Sequence, residues 1–300
     1  MAERFLGYER DELDRQYDLL ERHADTCALF HRLYETLSDK ARTILAPELD
    51  VAYGESPRMR MDLYPARGPG APVVGFLSGG YWKGRDKRDA SFVALGLQPH
   101  GCAVAVIDHD RLPGNGLDDM VGQIARAALW LRANAGRLNG DPDRIVLAGH
   151  AAGGHLAAMM LTVGWDGIAG EPTTSPVAAI AAISGLFDLE AIRHCFLNID
   201  LQLDAAAAAR LSPLRLVAAL RRPAPDVLLA VGEQETDEFH RNMTSYAGAL
   251  DSVGIAVEAT TVPGHHHFSL LAELADPSSR ITKRLAAMAL RHAAEPGHTI

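Results

Sequence analysis

DPDRIVLAGHAAGGHLAAMML, residues 141–161, reads as a buried strand that runs without a break into a helix. Between the two lies Gly149-His150-Ala151-Ala152-Gly153-Gly154. Glycines two before and two after a central residue permit a tight, strained turn that lifts that residue clear of the sheet. This is the strand–turn–helix setting of a nucleophile elbow, G-x-S-x-G. Here the central residue is Ala151, and a methyl group cannot attack a carbonyl. The competing reading is a phosphate cradle at a helix N-terminus. The chain has no G-x-x-x-x-G-K-[ST], and no acidic residue closes the next strand as in a dinucleotide site.

The surrounding sequence repeats the strand–helix rhythm. APVVGFL (71–77), CAVAVID (102–108), RIVLAGH (144–150), VAAIAAISG (177–185), PDVLLAVG (225–232) and IAVEATTV (255–262) are unbroken apolar runs of strand length. Such runs imply burial on both faces, the mark of a parallel sheet covered by helices. Helical patterns lie between them at 117–138, 152–163, 205–221 and 237–253, with a last one at 278–294. The expected fold class is α/β, a mostly parallel, doubly wound sheet with helices on both faces. LDVAY and MRMDLYPA, before the first buried run, alternate as a half-buried antiparallel pair. Residues 9–46 read as amphipathic helix, with Leu13, Tyr17, Leu20, Cys27, Phe30, Leu33 and Leu37 at threes and fours. The expectation is one domain over 1–300, with 1–46 as a helical arm and 47–300 as the core. Packing against the core is favoured for the arm over a flap above a pocket.

Composition removes several classes. The chain has 300 residues, net charge −9 and 48% hydrophobic content, so it is an ordinary folded protein able to build a core without staples. Its acidity argues against nucleic acid, which demands a basic face. Three cysteines, Cys27, Cys102 and Cys195, make neither a disulfide framework nor a CxxC zinc site, which fits a reducing cytoplasm. No secretory signal opens the sequence, and no apolar stretch approaches the roughly 18 residues of a membrane span.

Other parts of a site follow in chain order. Ser78-Gly79-Gly80-Tyr81-Trp82 comes straight after the strand 72–77. Oxyanion stabilisation needs backbone N–H groups free to point at the reacting carbonyl, and glycine permits that approach. Gly79 and Gly80 are candidates for one side of the hole and Ala152, after the nucleophile position, for the other. An acid is expected after the strand 225–232, where Glu233, Glu235, Asp237 and Glu238 all stand. A general base is expected after the last strand, where His265-His266-His267 stand. Three adjacent histidines diverge and lack accompanying ligands, so no metal and no cofactor are expected. Tyr81, Trp82, Phe187 and the arm are candidates for an aromatic pocket lining, although aromatics are as often plain core.

SGGYWKGRDKRDASFVA, the segment from Met120 to Met160, SGLFDLEAI with LSPLR, and PGHHHFSLL together resemble the kynurenine formamidase-like esterases of the α/β-hydrolase superfamily. The likeness runs from about Tyr53 to Leu271. In that family the oxyanion segment reads HGGYW, the elbow GHSAGG, and the base lies in an NHF-like turn. The resemblance implies Ala151 at the nucleophile position, Glu235 as the acid with Asp237 as fallback, and His267 as the base, with His266 in place of the Asn. It implies Ser78, Tyr81, Trp82 and His150 as substrate-contacting residues. The substrate it implies is a small ester or amide, such as a formamide, a short acyl ester or a secondary-metabolite ester or lactam. A homodimer is compatible with it.

Two departures stand out. Ser78 replaces the motif's His, and Ala151 replaces the serine. Either Ala151 is an engineered replacement made to trap a complex, or the chain is a natural pseudoenzyme that binds without turnover. Retention of Glu235, His267 and the elbow and oxyanion glycines favours the first. Ser78 favours the second.

Overall fold

The computed structural model describes residues 5–220 and 223–291. Among them, β1 (Glu48–Ala52), β2 (Arg60–Tyr64), β3 (Ala71–Leu77), β4 (Ala103–Ile107), β5 (Gly140–His150), β6 (Val177–Ile183), β7 (Asp226–Gly232) and β8 (Val257–Val262) form one sheet. Their order is β1-β2-β4-β3-β5-β6-β7-β8. β1 and β2 are antiparallel to their neighbours, and every pairing from β4 to β8 is parallel.

Alternation of side chains builds two cores. Every residue of β3 and β4 is buried. Val73, Leu77, Ala103, Ala105 and Ile107 face one layer, while Val74, Phe76, Val104 and Val106 face the other. The period of two along each strand delivers apolar groups to both faces, and helices cover both.

α1 (Arg10–Tyr17), α2 (Leu19–Arg22) and α3 (Cys27–Leu45) precede the sheet, and α4 (Val93–Leu97) and α5 (Leu117–Ala133) flank β4. α6 (Ala152–Met159) and α7 (Trp165–Ala169) follow β5. α8 (Leu189–Arg193), α9 (Asn198–Leu201), α10 (Ala205–Arg210) and α11 (Pro213–Leu216) follow β6. α12 (Asp237–Ser252) joins β7 to β8, and α13 (His267–Ala272) and α14 (Arg280–Arg291) complete the described chain. α5, α6 and α12 belong to the first layer; α4, α13 and α14 belong to the second.

Three expected helices are broken for local reasons. In the arm, Asp18 leaves helical geometry to cap α2, its carboxylate accepting the Glu21 N–H. In the 205–221 pattern, Pro213 removes a backbone donor and biases Ser212 to extended geometry, which ends α10 and starts α11. The 117–138 pattern ends its α-helix at Ala133 and finishes as a 3₁₀ turn, Ala135–Leu138. Position 221 of one expected helix and 292–294 of another lie outside the described residues.

The arm packs on the core through Leu13, Tyr17, Leu19 and Tyr34, and it also roofs a cavity that Tyr17, Leu19, His31 and Tyr34 line. Tyr17 Oη donates to Glu238 Oε2 at 2.7 Å, Thr236 Oγ1 donates to the Gln16 carbonyl at 2.8 Å, and Tyr34 Oη donates to the Phe268 carbonyl at 2.5 Å. The arm is thereby fixed to the loops after β7 and β8, where the acid and base candidates lie. Cys27, Cys102 and Cys195 are free thiols, and among the described residues no helix is long and apolar enough to cross a membrane.

Tyr17 is fully buried, so Tyr17→Phe removes a hydrogen bond to a buried carboxylate without changing the ring. The expected loss is roughly 1.5–3 kcal/mol of unfolding free energy, read from the urea midpoint at constant m-value.

Candidate active site

The turn after β5 depends on contacts that no side chain fits. A Cβ on Gly149 would lie 2.2 Å from the Gly153 carbonyl oxygen, and one on Gly153 would lie 2.1 Å from the Leu77 carbonyl oxygen. These approaches press the start of α6 against the ends of β5 and β3. Ala151, between them, adopts φ 52°, ψ −117°. Its N–H donates to the Ile183 carbonyl at 2.9 Å and its carbonyl accepts the His155 N–H at 3.0 Å. Such a conformation costs a non-glycine residue on the order of 1–3 kcal/mol, and the packing on both sides holds it.

The loop after β3 meets this turn. A Cβ on Gly79 would sit 3.1 Å from the Ala151 Cβ, so its absence keeps the space beside position 151 open. Gly80, at φ 103°, accepts the N–H groups of both Lys83 and Gly84 at 3.0 Å. The backbone N–H groups of Gly79, Gly80 and Ala152 donate to no protein acceptor among the described residues. Ser78 Oγ is buried there and has no hydrogen-bond partner among those residues.

Two groups from later loops join them. Glu235 Oε2 lies 2.7 Å from His267 Nδ1, and the Glu235 side chain is wholly inaccessible. Its other oxygen accepts from Ser184 Oγ at 2.6 Å and from the Gly232 N–H at 2.8 Å. With Nδ1–H given to the carboxylate, Nε2 of His267 is left as the basic nitrogen. The His267 ring packs between Phe239, at a centroid distance of 4.9 Å, and His150, at 4.3 Å. His150 Nε2–H donates to the His267 carbonyl at 3.1 Å. Burial first, and the neighbouring His267 second, push the His150 pKa well below the ordinary imidazole value.

The other acids have other partners. Glu233 accepts the Gly264 N–H, Asp237 is exposed at the start of α12, and Glu238 is bound by Tyr17 and Arg241. The three histidines diverge. His265 approaches Glu273 at 3.9 Å, and His266 caps α13 and stacks on His23 at 4.4 Å. Among the described residues no group of three or more His, Cys, Asp or Glu is placed to hold a metal ion.

Ala151, His267, Gly79, Gly80, Ser78, Tyr81 and His150 all line a cavity of about 540 Å³. Trp82 and Phe187 do not line it. The Trp82 indole is buried and donates to His155 Nδ1 at 3.2 Å, and Phe187 stacks on Tyr246 in the core at 4.4 Å. Both aromatics are about 1% exposed and belong to the core. Tyr34 and His31, from the arm that was a candidate lining, and Arg85, which the motifs do not single out, also line it. The first two sit on α3, whose helical period alone does not say which face meets a pocket.

Fold and site together define the class: an α/β-hydrolase, its mostly parallel sheet carrying the elbow at the end of β5. The chain belongs to the BD-FAE family, whose model matches residues 61–224. It is 30% identical to a kynurenine formamidase of Danio rerio over 256 residues, covering 84% of this chain and 85% of that one. It is 29% identical to a kynurenine formamidase of Salmo salar over 295 residues, covering 95% and 98%. A crystal structure from Silicibacter sp. TM1040, provisionally assigned as a thioesterase, superposes with a TM-score of 0.77 at 28% identity, covering 91% of this chain and 98% of that one. The chain is thus of the ester- and amide-hydrolase type.

Burial of neutral imidazoles gives the fold an acid limit. Desolvation pushes His155 and His109 down to about 4, and both regain the ordinary value on unfolding. The unfolded chain therefore binds more protons below pH 6.5, and stability present above that pH is lost as pH falls toward 4. Each of the two is expected to remove roughly 2 kcal/mol between pH 7.5 and pH 5, measured by urea unfolding at both values.

Proposed function

We propose that this chain is built as a serine-type hydrolase of small esters or amides, of the formamidase and carboxylesterase kind, and that Ala151 leaves it able to bind but barely able to turn over. The strained backbone at Ala151 carries the reading. No alanine gains from φ 52°, ψ −117°, since its methyl group makes no use of being lifted clear of the sheet. A nucleophile does. Glu235, His267 and the unpaired N–H groups beside position 151 complete what that nucleophile would use.

With serine at 151, Oγ attacks the carbonyl while His267 takes its proton, and the N–H groups of Gly79, Gly80 and Ala152 hold the oxyanion. His267 then returns the proton to the leaving alcohol or amine. Water, deprotonated by the same His, releases the acyl group. Glu235 fixes the imidazole tautomer and stabilises the imidazolium, and Ser184 and Gly232 fix Glu235. The formamidase relatives support formamides and aryl esters as substrates, and the roofed cavity suits an aryl group. The substrate is then a small molecule, with no cofactor needed for any of these steps.

A second reading is favoured by Ser78, which stands where the family motif has histidine and whose hydroxyl finds no partner. On that reading the chain is a natural binding protein whose architecture has outlived its chemistry.

Ala151→Ser is the decisive variant. Hydrolysis of short aryl esters or N-formyl-arylamides is expected to rise by several orders of magnitude, toward the roughly 10⁶-fold in kcat that a triad nucleophile contributes. His267→Ala in that background should return activity to the starting level. A serine variant inert on a broad ester and amide panel, while the present chain still binds a ligand, would establish the binding-protein reading.

A further inference from the structure

The loop that carries the two oxyanion glycines also delivers a cation that the reaction above does not use. Arg85 follows the Gly80–Gly84 turn at φ 67° and lines the same cavity. Its Cγ would lie 3.0 Å from a Cβ on Gly80, so its side chain leaves the loop beside the proposed oxyanion site. The guanidinium lies over the Tyr34 ring, 5.1 Å from its centroid. It forms no ion pair and no hydrogen bond among the described residues. Other arginines withdrawn from solvent behave differently: Arg58 binds Asp108, Arg42 binds Asp62, and Arg241 binds Glu238.

A partly desolvated guanidinium stays charged and presents five donors. Left without an acceptor, it loses hydration and regains only the weaker attraction of the Tyr34 ring face, none of its donors being satisfied. A second group points the same way. His31 lines this cavity, and its Nε2 is buried with no hydrogen-bond partner among the described residues. Burial first, and the Arg85 charge second, hold its pKa below the ordinary value, so it enters the cavity as a neutral ring able to donate one N–H.

Three carboxylates also line this cavity. Asp18 accepts the Glu21 N–H at 3.0 Å, Glu35 is exposed, and Asp89 accepts the Asp86 N–H at 3.2 Å. None comes within ion-pair distance of Arg85. They moderate the local field without occupying the guanidinium's donors.

We propose that Arg85, supported by His31, forms an anion subsite, and that the ester or amide this chain takes carries a carboxylate or a similarly small anionic group. The proposal rests on the hydrolase reading only for the identity of the reacting carbonyl. The subsite itself is a binding property that Ala151 leaves intact. Arg85 thus selects the substrate and does not take part in acyl transfer.

Because Ala151 blocks acyl transfer, the unaltered chain can be titrated with hydrolysable compounds. The probes are the ortho, meta and para acetoxybenzoates and their matched neutral acetoxybenzamides, followed by calorimetry. At least one carboxylate should bind about tenfold or more tightly than its amide, the scale of one charge-assisted hydrogen-bonded pair. Arg85→Gln should erase that ratio and Arg85→Lys should keep part of it, since an ammonium retains the charge without the planar fork. Equal affinities, tighter binding of the amides, no binding of any carboxylate, or a ratio that survives Arg85→Gln would each overturn the proposal. If Arg85→Gln does not fold, the salt dependence of the ratio in the unaltered chain decides: a ratio that shrinks with added chloride supports the subsite, and a constant one overturns it. Ala151→Ser on the same panel separates the two readings. An inert serine variant that still prefers carboxylates through Arg85 overturns the hydrolase reading alone. An active variant indifferent to the carboxylate overturns the subsite alone.

Discussion

Contact of backbone with backbone, where the start of α6 meets the ends of β3 and β5, is the constraint on which the site rests. Gly149 and Gly153 approach carbonyl groups too closely for any side chain. That proximity forces the chain through a tight turn and imposes an unfavourable conformation on Ala151. It also sets the loop after β3 alongside, because Gly153 packs directly on Leu77 and Ser78. The free N–H groups of that loop, the strained residue and the first turn of α6 therefore share one point in space. None of them is placed by a side chain. This explains how the geometry survives intact with alanine at its centre.

The acid–base pair is organised differently, through side chains held by a polar shell. Glu235 is buried with both oxygens occupied, one by His267 and the other by Ser184 and Gly232. A buried carboxylate with only one partner would be costly, and three partners make the burial tolerable. Ser184 itself stands at φ 51° and donates its N–H to Ala230 at 2.7 Å, so the end of β6 sets the orientation of an acid carried after β7. Neighbouring strands hold each other's loops in register, a common use of the carboxyl edge of a parallel sheet.

Much of this was legible in the sequence because it follows from short-range chemistry. The buried strands announce themselves as continuous apolar runs, and the elbow glycines announce a turn in which side chains do not fit. What stayed hidden depends on contacts between distant segments. Among four clustered acids, Glu235 is distinguished by facing His267, while Glu238 is engaged by Tyr17 from the arm. Trp82 and Phe187 look like pocket aromatics beside the motifs, yet distant partners, His155 and Tyr246, hold them in the core. Arg85 reads as one more surface cation in GRDKR until a positive φ turns it toward Tyr34. The arm stood as a candidate lining, but which of its residues meet the cavity was hidden, since a helical stripe shows that one face is covered without showing what lies beneath it.

The tie between Tyr34 and the Phe268 carbonyl spans 234 residues and adjoins His267. A ribosome emits the roof early and the imidazole close to the end of the described chain. Until both are released, the central strands can pair and pack, but the chamber has neither its ceiling nor its base. Partly synthesised chains therefore expose the inner wall, including Phe76 and the apolar side of α3, to whatever surrounds them. The interval before completion is when this protein most needs protection from association, and that vulnerability follows from where the roof is tied, whatever the residue at the elbow.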